Sequence, residues 1–341
     1  MVCVQITFAA CNVLYKLSIN DGMSTIVTSA YRLVFGAATT IPLALIFERK
    51  RPQMTWRIFW LSFLSGLLVG TLFQNLFYGA LTLASATLVS AIYNLIPSMT
   101  FILAVAGGFE KLNWRAAAGK AKVTGTVLGL AGAMLLTFYK GVEFDIWPVK
   151  INLLQPRDNE DEVVDTVAEI LGILCVAASC FCFSLWLIIQ AKVNQEYPCY
   201  ITSIAMLNTI GAIQSVIFGF CVVRDINEWK MGWDIRLLTS AFSGILASGI
   251  MIVIMAWCVR TKGPLFTSAF NPLMLVIVAI AASLTLDEKL YLGSLLGAVL
   301  IVVGLYAVLW GKGKETQKQR RELEPPDIME DSEATRPLLS P

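Results

Sequence analysis

The chain alternates long apolar runs with short polar links. Ten runs approach or exceed the roughly 20 residues that a bilayer-crossing helix needs. They lie near 1–19, 25–47, 57–79, 84–107, 118–138, 167–190, 200–223, 237–259, 264–285 and 290–310. The links between them, such as Glu48–Pro52 and Arg260–Pro264, carry charge and proline. Lipid gives backbone groups no hydrogen-bond partner, so spanning segments must be helices or a closed barrel. Barrel strands would alternate apolar and polar residues. These runs do not alternate, and the pattern predicts helices throughout. The first run starts at residue 1 with no basic leader and contains Asn12 and Lys16, so it reads as a retained helix rather than a cleaved signal peptide.

Two segments depart from this pattern. Residues 139–166 hold three bases against seven acids and read as a solvated acidic linker between two halves. Residues 311–341 are charged and contain proline, and read as a disordered cytoplasmic tail. An offset of 178 residues carries Ser65-Gly66 onto Ser243-Gly244, Ser90-Ala91 onto Ser268-Ala269, and Glu110-Lys111-Leu112 onto Glu288-Lys289-Leu290. After a short insertion, Gly125, Gly132 and Lys140 fall on Gly297, Gly304 and Lys312. The expectation is an all-α membrane protein of ten transmembrane helices, built as a first five-helix repeat over 1–138 and a second over 167–310. Five is odd, so the second copy enters the bilayer inverted, an arrangement typical of carriers with substrate held near the midplane. With both termini cytoplasmic, the links place eleven bases on that side against eight on the other, and the tail adds six more.

Composition agrees. Hydrophobic residues make up 57% and charged residues 15%. The mean hydropathy is +0.70. A soluble globule carries about 25% charge. The net charge of +2 gives no reason to expect a nucleic-acid partner. The chain has no histidine, which removes His-based metal sites, Ser-His-Asp and Cys-His catalysis, and histidine proton relays. No HExxH, paired-aspartate or Walker A pattern occurs, so neither an enzyme nor a cofactor is expected. The eight cysteines sit in or beside apolar runs and read as small buried hydrophobes.

Candidate chemistry is sparse. No Asp or Glu falls in the middle of a run, and Arg32 is the one ionisable charge well inside a span. It can reach outward to the interface, pair with helix carbonyls or meet a substrate carboxylate. Asn94 and Asn271 lie near the centres of spans 4 and 9, one position apart in the repeat, accompanied by Pro97 and Pro272. Proline frees a helical carbonyl, and that carbonyl beside an Asn amide can hold a polar solute or simply tie helices together. Tyr93 adds a polar-tipped ring. Gln74 and Asn75 close span 3 and read first as interhelical glue, with capping or lining of the outer mouth as the alternative. Gln5 and Asn12, seven apart, share one face of span 1. Glycines at Gly125/Gly129 and Gly293/Gly297 read as packing positions.

Many stretches resemble the plant nodulin-21-like, WAT1-related (UMAMIT) transporters of the drug/metabolite transporter superfamily with EamA-type repeats. They include Ala30-Tyr31-Arg32, Phe47–Pro52, Gln74-Asn75-Leu76-Phe77-Tyr78, Asn94-Leu95-Ile96-Pro97, Trp257–Arg260, Phe270-Asn271-Pro272-Leu273 and Leu286–Gly293, in order along nearly the whole chain. The resemblance implies ten helices in inverted repeats, with a cavity lined by spans 1–4 and 6–9 and with spans 5 and 10 peripheral. It implies transport of amino acids by facilitation or export. Auxin (indole-3-acetate) or a related metabolite is the alternative, and a non-transporting receptor or assembly protein is the second. The expected partners are a small-molecule substrate and the bilayer, with a possible homo-oligomer. The plasma membrane is the first expected address and the vacuolar membrane the second. With no Asp, Glu or His inside the spans, proton coupling is not expected.

Overall fold

The computed structural model describes residues 1–20, 24–84, 89, 92–110, 116–139, 143–144, 166–230, 232, 234–274, 276–277 and 290–323. Most of the acidic linker and the last part of the tail lie outside them. The described chain is helical apart from one two-residue antiparallel ladder, β1 (Glu143–Phe144) with β2 (Leu290–Tyr291). In order come α1 (Val2–Asn20), α2 (Thr25–Phe47), α3 (Trp56–Ser65), a π-helical stretch Gly66–Leu72, α4 (Phe73–Leu83), α5 (Ile96–Ala106) and α6 (Ala117–Phe138). After β1 follow α7 (Thr166–Glu196), α8 (Tyr200–Val222), a 3-10 turn Ile226–Trp229, α9 (Ile235–Phe242), a second π-helical stretch Ser243–Met251, α10 (Ile252–Lys262), α11 (Pro264–Ala269), β2 and α12 (Leu292–Leu323). Among the described residues six continuous helices are long and apolar enough to cross a membrane, and Val2–Cys11 and Ile96–Ala106 are shorter apolar helices.

Local chemistry sets the boundaries. Thr55 caps α3 by accepting from the Ile58 N–H at 3.4 Å. Gly263 adopts φ +91°, which ends α10 and lets Pro264 open α11, where its missing N–H is no loss. The start of α8 is capped from a distance. The Glu48 carboxylate, at the end of α2, accepts from the Ile201 N–H at 3.1 Å and from the Thr202 N–H and hydroxyl, both at 2.7 Å. An anion there satisfies orphan donors and the positive end of the helix dipole together.

The two π stretches stand at equivalent positions under the 178-residue offset, since Gly66 falls on Gly244 and Leu72 on Ile250. Each widens a turn where glycine lets another helix approach. A Cβ on Gly66 would meet the Gly211 nitrogen of α8 at 2.9 Å, and one on Gly244 would meet the Arg32 carbonyl of α2 at 2.6 Å. Helices α6 and α12 pack along each other and run antiparallel. A Cβ on Gly125 would meet the Gly304 carbonyl at 2.6 Å, and one on Gly132 the Gly297 carbonyl at 2.8 Å. Past the short insertion the repeat offset is 172 residues, and it exchanges these two contacts, because Gly125 falls on Gly297 and Gly132 on Gly304.

The core is gathered around α7, whose Val176, Cys180, Trp186 and Leu187 are fully buried against α4, α5 and α10. A knot of four charges closes the N-terminal end of α6. Lys122, 1% exposed, reaches Glu110 at 2.9 Å and Glu315 at 2.8 Å, and Lys312 also pairs with Glu110. Here the structure differs from the tail expected from residue 311. Helix α12 continues to Leu323, because Lys312 and Glu315 find buried partners that a lone solvated segment would lack.

Candidate functional site

A cavity lies at the centre of the bundle. Its walls come from α1, α2, the first π stretch, α4, Tyr93, α7, α8, the second π stretch, α10, Asn271 and Met274. No described residue of α6 or α12 lines it. It has about 80 Å³ of room for the centres of water-sized molecules. One water needs about 10–15 Å³ by that measure, so the space takes several waters or a small solute.

Arg32 is the one charged residue among the described wall residues. Its side chain projects from α2 into the cavity wall, half-buried, and Nε donates to the Ser248 hydroxyl at 2.7 Å. The guanidinium carbon lies 6.0 Å from the centre of the Tyr15 ring. Tyr15 in turn shares a 3.2 Å hydrogen bond with the Ser243 hydroxyl and packs on Tyr78 at 5.4 Å between ring centres. No described carboxylate pairs with Arg32. Tyr31, on the neighbouring position, faces elsewhere and donates to the Trp229 carbonyl at 2.7 Å.

Two further polar groups face the same space. Gln74 is 5% exposed and Asn271 is 6% exposed, and both line the cavity. Gln74 Oε1 and Asn271 Nδ2 are buried without a hydrogen-bond partner among the described residues. Asn271 Oδ1 accepts from Gln5 Nε2 at 3.4 Å, so Gln5 positions Asn271 from behind. Among the described residues the cavity therefore offers the Arg32 cation, a spare acceptor on Gln74 and a spare donor on Asn271. Such groups are unfavourable when buried unpaired, and a ligand can satisfy them. Between them stand rings: Phe73, Phe77, Tyr93 and Phe183, with centres 5.1–6.4 Å apart in successive pairs.

The remaining sequence candidates divide clearly. Tyr93 lines the cavity. Asn94 is buried, 2% exposed, but sits behind the wall at a break in span 4, where the turn Asn94-Leu95 precedes α5. Pro97 and Pro272 are buried and also off the wall. Carbonyls flanking the span 4 break take side-chain bonds from α7, Ile92 from Cys180 and Ile96 from Ser184 at 3.3 Å. Span 9 breaks at Phe270, which the 178-residue offset aligns with Ile92. Asn75 is not at the cavity; its Nδ2 donates to the Thr71 carbonyl at 2.8 Å. The side chain of Asn12 lies outside the described residues.

Sequence reasoning missed Tyr15, Tyr78, Asn208 and Ser248. Asn208 is 1% exposed and donates to the Ser248 carbonyl at 2.8 Å and to the Thr40 hydroxyl at 3.4 Å, holding the second π stretch against α2. The single asparagine in the run 200–223 was a legible signal. Tyrosine and serine are too common in such runs to stand out.

Comparison with known proteins gives these features a context. The EamA-like transporter family matches twice, over residues 1–138 and 170–310. WAT1-related protein At1g68170 of Arabidopsis thaliana is 42% identical over 317 residues, covering 92% of this chain and 89% of its own. WAT1-related protein At5g07050 of the same plant is 39% identical over 346 residues, covering 98% of this chain and 86% of its own. One solved crystal structure shares the fold with a TM-score of 0.64 at 18% identity, over 90% of this chain and 97% of that one. The protein is thus a multi-pass membrane transporter of small solutes. With both halves matched and relatives at this identity over most of their length, the chain belongs to the WAT1-related members of the EamA-like transporter family.

Proposed function

We propose that the chain crosses the bilayer ten times as two inverted five-helix repeats and carries small carboxylate-bearing organic solutes by alternating access. The repeat reading is supported by the matched π stretches and by the glycine contacts of α6 and α12 that exchange under the offset. The substrate reading is carried by one observation: Arg32 faces the cavity with no described carboxylate beside it. A substrate carboxylate supplies that counter-charge, while Asn271 Nδ2 donates and Gln74 Oε1 accepts. Asn94, Pro97 and Pro272 hold the broken spans 4 and 9 in shape, and Gln5 orients Asn271.

Amino acids are the first substrate class, following the resemblance. A second reading has its own observation. An α-ammonium would bring a second cation beside Arg32, whereas an aromatic acid such as indole-3-acetate would stack on Phe73, Phe77, Tyr93 and Phe183 and give one N–H to Gln74. Flux is downhill facilitation, because the described spans place no Asp, Glu or His in the cavity. Proteoliposomes loaded with labelled amino acids or indole-3-acetate test this. The reading requires flux of at least one class, its loss in Arg32→Gln, and no accumulation driven by a proton gradient. Absence of flux for every solute would favour a receptor or assembly role. The plasma membrane is the proposed address, and a tagged full chain on the vacuolar membrane instead would overturn it.

A further inference from the structure

A second space lies on the outside of the bundle. It is a lateral cleft of about 630 Å³ between the last turns of α2, the first turn of α8 and the middle of the π–α10 helix. Pro42, Leu43, Phe47, Tyr200, Ile250 and Ile254 are among its walls. Among its described lining side chains only Thr39 and Tyr200 carry a polar group, and the Thr39 hydroxyl donates to the Phe35 carbonyl at 2.8 Å. The rest of the described lining is apolar.

One end of the cleft is ringed by bases. Arg260 lies over the Tyr200 ring at 5.8 Å and donates to the Pro198 carbonyl at 2.6 Å. Arg51 donates to the Glu48 carbonyl at 2.7 Å, and Glu48 in turn caps the turn that carries Ile201. Arg49, Lys50 and Lys262 are exposed beside them. The Glu48 carboxylate is turned onto the α8 cap and keeps its charge, but Arg49, Lys50, Arg51, Arg260 and Lys262 outnumber it. Burial also raises the Tyr197 hydroxyl and the Cys199 thiol above their ordinary pKa values, so the turn adds no further anion. By the excess of positive charge this end faces the cytoplasm.

We propose that this cleft seats an acyl chain of an anionic phospholipid whose headgroup rests between Arg51 and Arg260. The groove fixes where the chain goes, but lipid tails are as apolar as the groove. Selectivity therefore comes from the headgroup. At about fivefold per base near the surface, two arginines give roughly a 25-fold preference for an anionic over a zwitterionic lipid. The site is independent of the transport reading, because binding is measured without flux.

The test uses the full chain reconstituted in phosphatidylcholine membranes with spin-labelled phosphatidylglycerol or phosphatidylcholine as probe. The immobilised fraction of each lipid is read by electron spin resonance. The expected result is a tight component for phosphatidylglycerol at least about tenfold stronger than for phosphatidylcholine. The Arg51→Gln/Arg260→Gln variant abolishes that preference, and the matching Lys variant keeps it, which separates charge from the carbonyl bonds. Ile254→Trp fills the cleft and removes the tight component. Ala38→Trp, from the opposite wall, repeats that result should the first variant fold poorly. Equal immobilisation of both lipids by the unmodified chain overturns the proposal. So does a phosphatidylglycerol preference that survives in the folded tryptophan variants, which would place it on the basic rim alone.

Discussion

Arg32 Nε donates to the Ser248 hydroxyl across 2.7 Å, joining the second helix to the π stretch of the eighth span. The bond fixes one edge of the guanidinium and leaves the fork available to the cavity. A hydrogen bond to a charged group contributes about 1.5–3 kcal/mol. Arg32→Gln is therefore expected to lower transport of carboxylates by roughly 10–100-fold. Arg32→Lys should recover only part, because an ammonium cannot present a planar fork. Initial rates in proteoliposomes, at matched protein content, measure both.

Asn271 and Asn94 occupy near-equivalent places in the two halves, yet one is on the cavity wall and the other behind it. Asn271→Ala is expected to raise the half-saturating solute concentration about tenfold with little change in melting temperature. Asn94→Ala is expected to do the reverse, at about 1–3 kcal/mol of stability for a lost buried polar contact. Concentration-dependent flux and thermal melts on the two variants separate these outcomes.

The charge knot yields a third expectation. Lys122→Met leaves Glu110 and Glu315 short of a cation in a buried place, and removing one partner of such a set costs about 3–5 kcal/mol. The double variant Lys122→Met/Glu110→Gln should be closer to the original, since it removes one charge of each sign. Melting temperatures of the three proteins check this, and a double variant worse than the single one would contradict it.

Helix α6 meets α12 through glycine. Gly132→Val must push the Gly297 carbonyl and Ile301 away, because its Cβ would sit 2.8 Å from both the Gly297 oxygen and the Ile301 nitrogen. Overpacking of this kind costs about 1–3 kcal/mol. Gly129→Ala, where a Cβ meets nothing within 4 Å, should be neutral or slightly stabilising. The contrast between the two, read as folded yield in detergent, tests whether close approach rather than helix propensity decides these positions.

Glu48 gives a fifth. Its carboxylate takes three bonds at the start of α8. Glu48→Ala should cost about 1–2 kcal/mol, in the range of lost helix caps, and hydrogen exchange should quicken first at the amides of Ile201 and Thr202.

Much of the architecture was written in residue types. An uninterrupted apolar run has one stable answer in lipid, so the helical nature of the spans was legible from hydropathy alone. The repeat that pairs Gly66 with Gly244 and, after a short insertion, Gly125 with Gly297 was equally visible. Arg32 stood out as a charge with nowhere inexpensive to go. The site was only partly legible. Gln74, Tyr93, Asn271 and Arg32 were named, but so were Asn75, which bonds back to its own helix, and Asn94, which packs behind the wall.

Period and composition, read along a single chain, determined that this protein is a bundle of membrane helices with internal duplication and almost no titratable chemistry inside. They could not say which face of each helix meets which neighbour. That choice belongs to three dimensions. The π stretches turn Ser248 toward Arg32, α7 takes the carbonyls beside Pro97, and Gln5 reaches Asn271 from 266 residues away. Polar groups in an apolar solvent seek whatever partner the packed backbones bring within reach. The tertiary structure alone decides which of them remain unpaired and open to a solute.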